Sequence, residues 1–326
     1  MKNNILFFVK FLIAAILVLL ILFAVNSLYI KGETYAGTYS GMEKFEDVPK
    51  NIKFANFGPS YGMSCFKYEE FEDENVCFNF GLTMQDTYHD FAILKNYEEN
   101  LADDAIIAIP VSYFSFCSNA SAPSSSRYYK ILDKENIKGY TIENDVSSNY
   151  LPVYGKGSSF VRDFTNDAIN AIISKGMSAP KSESEDEEVK SVEVDKLSDD
   201  SKSRVVVIES GNLAVYQNYI EENENTLVEM IEYVKSKGMT PVMVLTPYWY
   251  EYAHGFNEEL LNVGFNEPVK RVIEKTGVLY MDCNSEAFDD YTHNPVYFNN
   301  CDHVSKEGGL EFVRRYMKFL EENGIK

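Results

Sequence analysis

Short apolar runs of strand length alternate with helix-spaced segments along most of this chain, and that order narrows its possible folds most. The runs fall at residues 52–57, 76–82, 105–111, 241–246 and 278–281. Between them, Leu227, Met230, Ile231 and Val234 follow the i, i+3, i+4, i+7 spacing of a helix face, with Gly238 where that helix would end. The last segment opens at Ser305, a suitable N-cap. It then sets Leu310, Val313, Met317 and Leu320 along one face before Gly324. Repeated strand-then-helix order predicts an α/β domain with a mostly parallel sheet and helices on both faces. In such sheets the functional site gathers at the carboxyl ends of the strands.

Residues 5–25 are almost wholly apolar, broken only by Lys10. About 21 residues at 1.5 Å each reach roughly 30 Å, the thickness of a bilayer core. Lys2 and Lys10 carry positive charge on the N-terminal side, which predicts a cytoplasmic N-terminus and one crossing of the plasma membrane. A cleaved signal peptide is the competing reading, against which stand the length of the stretch and the poor cleavage site at Ala24-Val25-Asn26. The expected organisation is a cytoplasmic stub and anchor over residues 1–35, then one extracytoplasmic domain over 36–326. Within it, residues 178–203 are rich in Ser, Glu, Asp and Lys with almost nothing to bury, so a disordered acidic loop is expected there. A helix over about 159–173 should precede that loop and a long one from about residue 212 should follow it. Residues 204–209 read equally as an added strand or a helix lead-in.

The formal net charge of −20 argues against nucleic acid and against tight docking on an anionic membrane surface. The five cysteines form no Cys-x-x-Cys pair, so a zinc ribbon or thioredoxin-type site is not indicated. An exported location permits disulfides, but no pairing can be read. No phosphate loop or metal-binding motif occurs and there are only four histidines, so neither a metal site nor a cofactor is expected.

Two motifs at opposite ends carry chemistry. Asn56-Phe57-Gly58-Pro59-Ser60-Tyr61-Gly62 follows the first strand, and Phe298-Asn299-Asn300-Cys301-Asp302-His303 precedes the last helix. A serine on a Gly-bounded strand-to-helix turn is usually a turn residue. Paired with a histidine that reaches the same sheet edge, it becomes a candidate nucleophile with its base.

These blocks, with Phe78-Asn79-Phe80-Gly81-Leu82-Thr83-Met84-Gln85, Ile109-Pro110-Val111-Ser112-Tyr113-Phe114-Ser115 and Val244-Leu245-Thr246-Pro247-Tyr248, occur in the order seen in a known family. The chain resembles SGNH/GDSL-type hydrolases, in the branch of the membrane-anchored D-alanyl-lipoteichoic acid transfer protein and other acyltransferase-associated SGNH proteins. The resemblance spans about residues 51–320 apart from the acidic segment. It implies a flavodoxin-like SGNH fold, a serine acyl-transfer or esterase activity, a cell-surface polymer as substrate, and a membrane-bound O-acyltransferase as partner. It also implies Ser60 as nucleophile and His303 as base, with Asn300 at the orienting position where the family has Asp; Asp302 is the alternative there. Gly58, Met84, Ser112 and Tyr248 are the candidates for oxyanion or substrate contacts, Met84 standing where the family has a Gly. Pro59 and Tyr61 replace Ser and His beside the nucleophile. These departures leave open a non-catalytic scaffold. Tyr248, Trp249, Tyr250 and Tyr252 read either as a sugar platform or as loop packing.

Overall fold

The computed structural model describes residues 2–71, 76–156, 159–176 and 194–325. Five strands form one sheet: β1 (Ile52–Asn56), β2 (Cys77–Asn79), β3 (Leu101–Val111), β4 (Thr240–Leu245) and β5 (Leu279–Asp282). Their order across the sheet is β2-β1-β3-β4-β5, and every pair is parallel. This is the flavodoxin-like α/β order. The register pairs Ala55 with Ile107 and Ala108 with Val242, all buried, so the middle strands read as continuous apolar runs.

Helices cover the sheet in two layers. In one, Thr87–Asn96 packs on Ile220–Ser236, with the Phe91 and Tyr233 ring centroids 5.4 Å apart. There Glu224 pairs with Arg271 and Lys275 of the helix Glu267–Thr276, at 2.8 and 2.7 Å. In the other, Ser60–Cys65 packs on the last helix, Lys306–Glu322, where Phe66 meets Phe312 edge-on at 5.0 Å. Ser305 caps that last helix, its hydroxyl accepting from the Gly308 N–H at 3.0 Å. The buried stripe runs through Phe312, Val313, Tyr316 and Leu320, while Leu310 and Met317 sit at its margins.

The chain divides into two compact units, where one domain from residue 36 onward was expected. One unit comprises residues 48–122 and 186–326 and contains the sheet. The other joins residues 1–47 with 123–185. The reason is local: in this second unit, aromatic side chains from residues 128–160 gather around Tyr29, Tyr35 and Tyr39. Tyr29 meets Tyr35 and Phe160 edge-on, and the Lys130 ammonium lies 4.6 Å from the centre of the Tyr39 ring. The helix Lys2–Tyr29 contains a stretch, Ile5–Tyr29, that is long and apolar enough to cross a membrane.

Two further expectations change. The acidic segment expected to be loop over 178–203 is helical from Val194, in a helix that runs to Ile208; residues 178–193 lie outside the described residues. Leu197, Ser201, Val205 and Ile208 give that helix a buried face at helical spacing, which decides the open question at residues 204–209 for helix as far as Ile208. The long helix that follows starts at Ile220 rather than near residue 212, because residues 209–213 form a wide turn first.

Candidate active site

The switch point of this strand order, where connections leave the sheet in opposite directions, falls between β1 and β3. Ser60 lies there, as the first residue of the helix that follows β1. Gly58 makes the turn, with φ of +97°, and a side chain on it would sit 2.9 Å from the Pro110 Cβ of β3. Only glycine satisfies both demands. Pro59 is extended and offers no capping side chain, so the first-turn N–H groups of this helix are left without a side-chain cap.

The candidate base arrives from a two-stranded ribbon, β6 (Phe298–Asn300) and β7 (His303–Val304), just before the last helix. His303 Nε2 lies 2.8 Å from Ser60 Oγ. On its far side, His303 Nδ1 lies 2.7 Å from Asp302 Oδ1 and 3.1 Å from Asn300 Oδ1. A neutral imidazole with its proton on Nδ1 satisfies both sides, donating to these oxygens and accepting from the serine hydroxyl. The sequence left the orienting residue open between Asn300 and Asp302. Asp302 is the nearer and the charged partner, and Asn300 also accepts the Asp302 N–H at 3.1 Å within the turn of the ribbon.

Sequence reasoning missed the group behind Asp302. Arg204 Nε, from the helix Val194–Ile208, donates to Asp302 Oδ2 at 2.8 Å, and Asp200 of the same helix accepts from the Cys301 N–H at 3.0 Å. Burial works against a charge on Asp302, whose side chain is 1 % exposed, yet hydrogen bonds from His303 and Arg204 hold its carboxyl below the ordinary value. The available signal was the run Arg204-Val205-Val206-Val207-Ile208: an arginine at the head of an apolar helical turn needs a reason to be there.

The remaining candidates separate. The Gly58 N–H is taken by Asp90 Oδ1 at 2.7 Å and its carbonyl by the Leu82 N–H, so Gly58 builds the turn and has no donor left for an oxyanion. The Ser112 hydroxyl lies 3.1 Å from that of Ser115, in a turn that also ties down the Ser112 N–H, and is buried. Tyr248 is buried among Tyr61, Tyr113 and Tyr252, with ring centroids 5.1–5.9 Å away. Trp249 and Tyr252 are buried too, so only Tyr250 of the expected platform faces solvent, its ring tilted against those of His254 and His293. Met84 has φ of +56° and is 85 % exposed, holding the left-handed backbone for which a glycine is the usual choice. Tyr61 lies against the His303 ring at 4.8 Å. Burial and the Asp302 charge push its phenol up, so it stays protonated beside the histidine. Cys301 is fully buried, and burial pushes its thiol far up, which removes it as a nucleophile.

A second buried carboxyl lies beneath the turn. Asp90 accepts from Gly58 and from Gln85 Nε2 at 2.6 Å, and burial pushes it up to about 7 in spite of those bonds.

No family model and no curated protein matches this sequence. Solved structures that overlay on it include a GDSL-like lipase from Bacteroides thetaiotaomicron, at 10% identity and a TM-score of 0.37, covering 89% of this chain and 98% of that one. Another is an acetylxylan esterase from Geobacillus stearothermophilus, at 13% identity and a TM-score of 0.36, covering 86% of this chain and 97% of that one. Overlap this loose leaves the chemistry to the site's own geometry.

Proposed function

We propose that this protein is a serine acyl-transfer enzyme held at the membrane by its N-terminal helix, and that it O-acylates a cell-surface polysaccharide or wall polymer. The observation that carries the reading is the line of hydrogen bonds from Ser60 through His303 to Asp302. In an acyl transfer, His303 Nε2 takes the Ser60 proton as Oγ attacks the acyl carbonyl carbon, and the Nδ1–H stays on the histidine, facing the Asp302 charge. The carbonyl oxygen becomes an oxyanion, held by the Ser60 N–H at the uncapped helix start and by the backbone of the Met84 loop. When the carbon–leaving-group bond breaks, His303 returns its proton to the leaving oxygen or sulfur, and an ester on Ser60 remains. A hydroxyl of the polymer then attacks that ester, with His303 acting once more as base, and Ser60 is released. Arg204 and Asn300 act through Asp302 and His303 as positioning residues.

The resemblance to acyltransferase-associated proteins suggests a membrane-bound O-acyltransferase as the source of the acyl group, with the catalytic unit outside the cell. Fluorophosphonate labelling of the full chain tests the nucleophile: wild type should label, and Ser60→Ala and His303→Ala should not. Absence of labelling in folded wild type would count against catalysis and favour a scaffold. Transfer and hydrolysis then separate by product, acylated glycan against free carboxylic acid.

A further inference from the structure

A cavity of about 280 Å³ lies in the unit formed by residues 1–47 and 123–185, against the end of the apolar helix. Tyr29, the last residue of that helix, forms its wall with Tyr35, Tyr39 and Tyr129, and Asn144 and Ser148 add polar edges. The wall is braced. Lys130 Nζ donates to the Tyr35 hydroxyl at 3.0 Å, and Asn26 Oδ1 accepts from the Val153 N–H at 3.3 Å, tying the helix end to the segment opposite.

Two atoms in this wall are out of balance. The hydroxyls of Tyr29 and Ser148 are buried with no hydrogen-bond partner among the described residues, on residues each 1 % exposed. Buried polar groups in native proteins are nearly always satisfied by protein, water or ligand, so two orphans around one cavity call for an occupant. The lining also states its chemistry. Among the described residues it holds no carboxylate, and its one cation, Lys156, lies 3.8 Å from Asp163 Oδ2. An anionic ligand would find a single, already shared charge, and a hydrocarbon chain would leave both hydroxyls unmet. Aromatic faces beside neutral hydroxyl and amide groups suit a molecule with C–H faces and hydroxyl edges. The volume, near the lower end of ligand pockets at ~300 Å³, suits one such unit rather than an extended oligomer.

We propose that this cavity binds a neutral polyhydroxylated head group, one sugar or sugar-like unit, carried on a lipid or on a free glycan. The lipid arm rests on the reading of the apolar helix as a membrane anchor; neither arm depends on the Ser60 chemistry. The test uses the full chain in phosphatidylcholine nanodiscs with two probes, glucosyl diacylglycerol in the bilayer and methyl β-glucoside in solution. Retention of the glycolipid is read by native mass spectrometry and binding of the glucoside by thermal shift. Tyr29→Phe and Ser148→Ala each remove one oxygen, and each should weaken binding of the effective probe about tenfold. Selective retention of the glycolipid supports a lipid-borne ligand; equal response to the free glucoside supports a glycan. Both variants without ligand should melt at or above the wild-type temperature, since the deleted hydroxyls have no partner to lose. They should also keep fluorophosphonate labelling, which separates this site from the serine centre. Binding of neither probe, binding unchanged in both variants, or a lower melting temperature of both unliganded variants would overturn the proposal.

Discussion

Asp302→Asn is the most discriminating change at the proposed catalytic centre, because it removes a charge and almost no volume. The carboxylate has two strong partners, His303 Nδ1 at 2.7 Å and Arg204 Nε at 2.8 Å. An asparagine can accept from only one of them through oxygen and must turn its NH₂ toward the other. Facing Arg204, the oxygen leaves the amide nitrogen against His303 and favours the imidazole tautomer with its proton on Nε2, which cannot accept from Ser60. The same replacement at the orienting position of a serine triad costs about 10⁴-fold in kcat. Here Asn300 Oδ1, 3.1 Å from Nδ1, remains as a neutral acceptor. The expected loss is therefore about 10³- to 10⁴-fold, roughly 4–5.5 kcal/mol of barrier. Asn300→Ala, which leaves the charged partner in place, should cost about tenfold or less. The assay is hydrolysis of p-nitrophenyl acetate by the purified full chain, with circular dichroism melting to confirm folding. Replacing the carboxylate that faces Arg204 by a neutral amide oxygen should lower stability by about 1 kcal/mol. If Asn300→Ala is the more damaging variant, or Asp302→Asn is within tenfold of wild type, Asp302 does not orient the base.

Arg204→Gln should lower kcat about tenfold with KM unchanged. Asp302, held below its ordinary 3.8, contributes stability above that pH that is lost as pH falls through the folded value; acid titrations of folding should become shallower below pH 3.8 in this variant. Asp90 works in the opposite sense. With its folded value near 7 against 3.8, its contribution is complete below pH 3.8 and is lost as pH rises through 7. Denaturant unfolding should therefore show about 2–3 kcal/mol less stability at pH 8 than at pH 5 from this group, a difference that Asp90→Asn removes. Met84→Gly should raise stability by about 1 kcal/mol, because glycine adopts the left-handed backbone without cost, and should leave fluorophosphonate labelling intact.

The sheet was legible because buried strands announce themselves as apolar runs, and residues 52–57, 105–111 and 241–246 each lie on an observed strand to within a residue or a few at either end. The pairing of Ser60 with His303 was legible for a topological reason: one follows the first strand, the other precedes the last helix, and a parallel sheet brings both to the same edge. What stayed hidden depended on side-chain reach. Nothing in Asn300-Cys301-Asp302-His303 says which acceptor the ring will choose, since the turn of the ribbon brings both side chains within reach of Nδ1. The helix Val194–Ile208 was masked by its composition. Its polar residues outnumber its apolar ones, and only their spacing, read from Leu197 onward, betrays a buried face. Tyr248 was misplaced because an aromatic after a strand serves a core as readily as a ligand. The gathering of residues 128–160 about Tyr29 was beyond reach, because that segment has neither a strand nor a long amphipathic helix to announce it.

The separation of Ser60 from His303 has a consequence for biosynthesis. The two residues lie 243 positions apart in the chain. A ribosome adding about 5–20 residues per second needs roughly 10–50 s to travel from one to the other. Throughout that interval the serine is an ordinary alcohol on a short helix, with no base to take its proton. On the proposed chemistry the nascent polypeptide thus passes its site of synthesis inert, and reactivity waits for the docking of its final ribbon and helix.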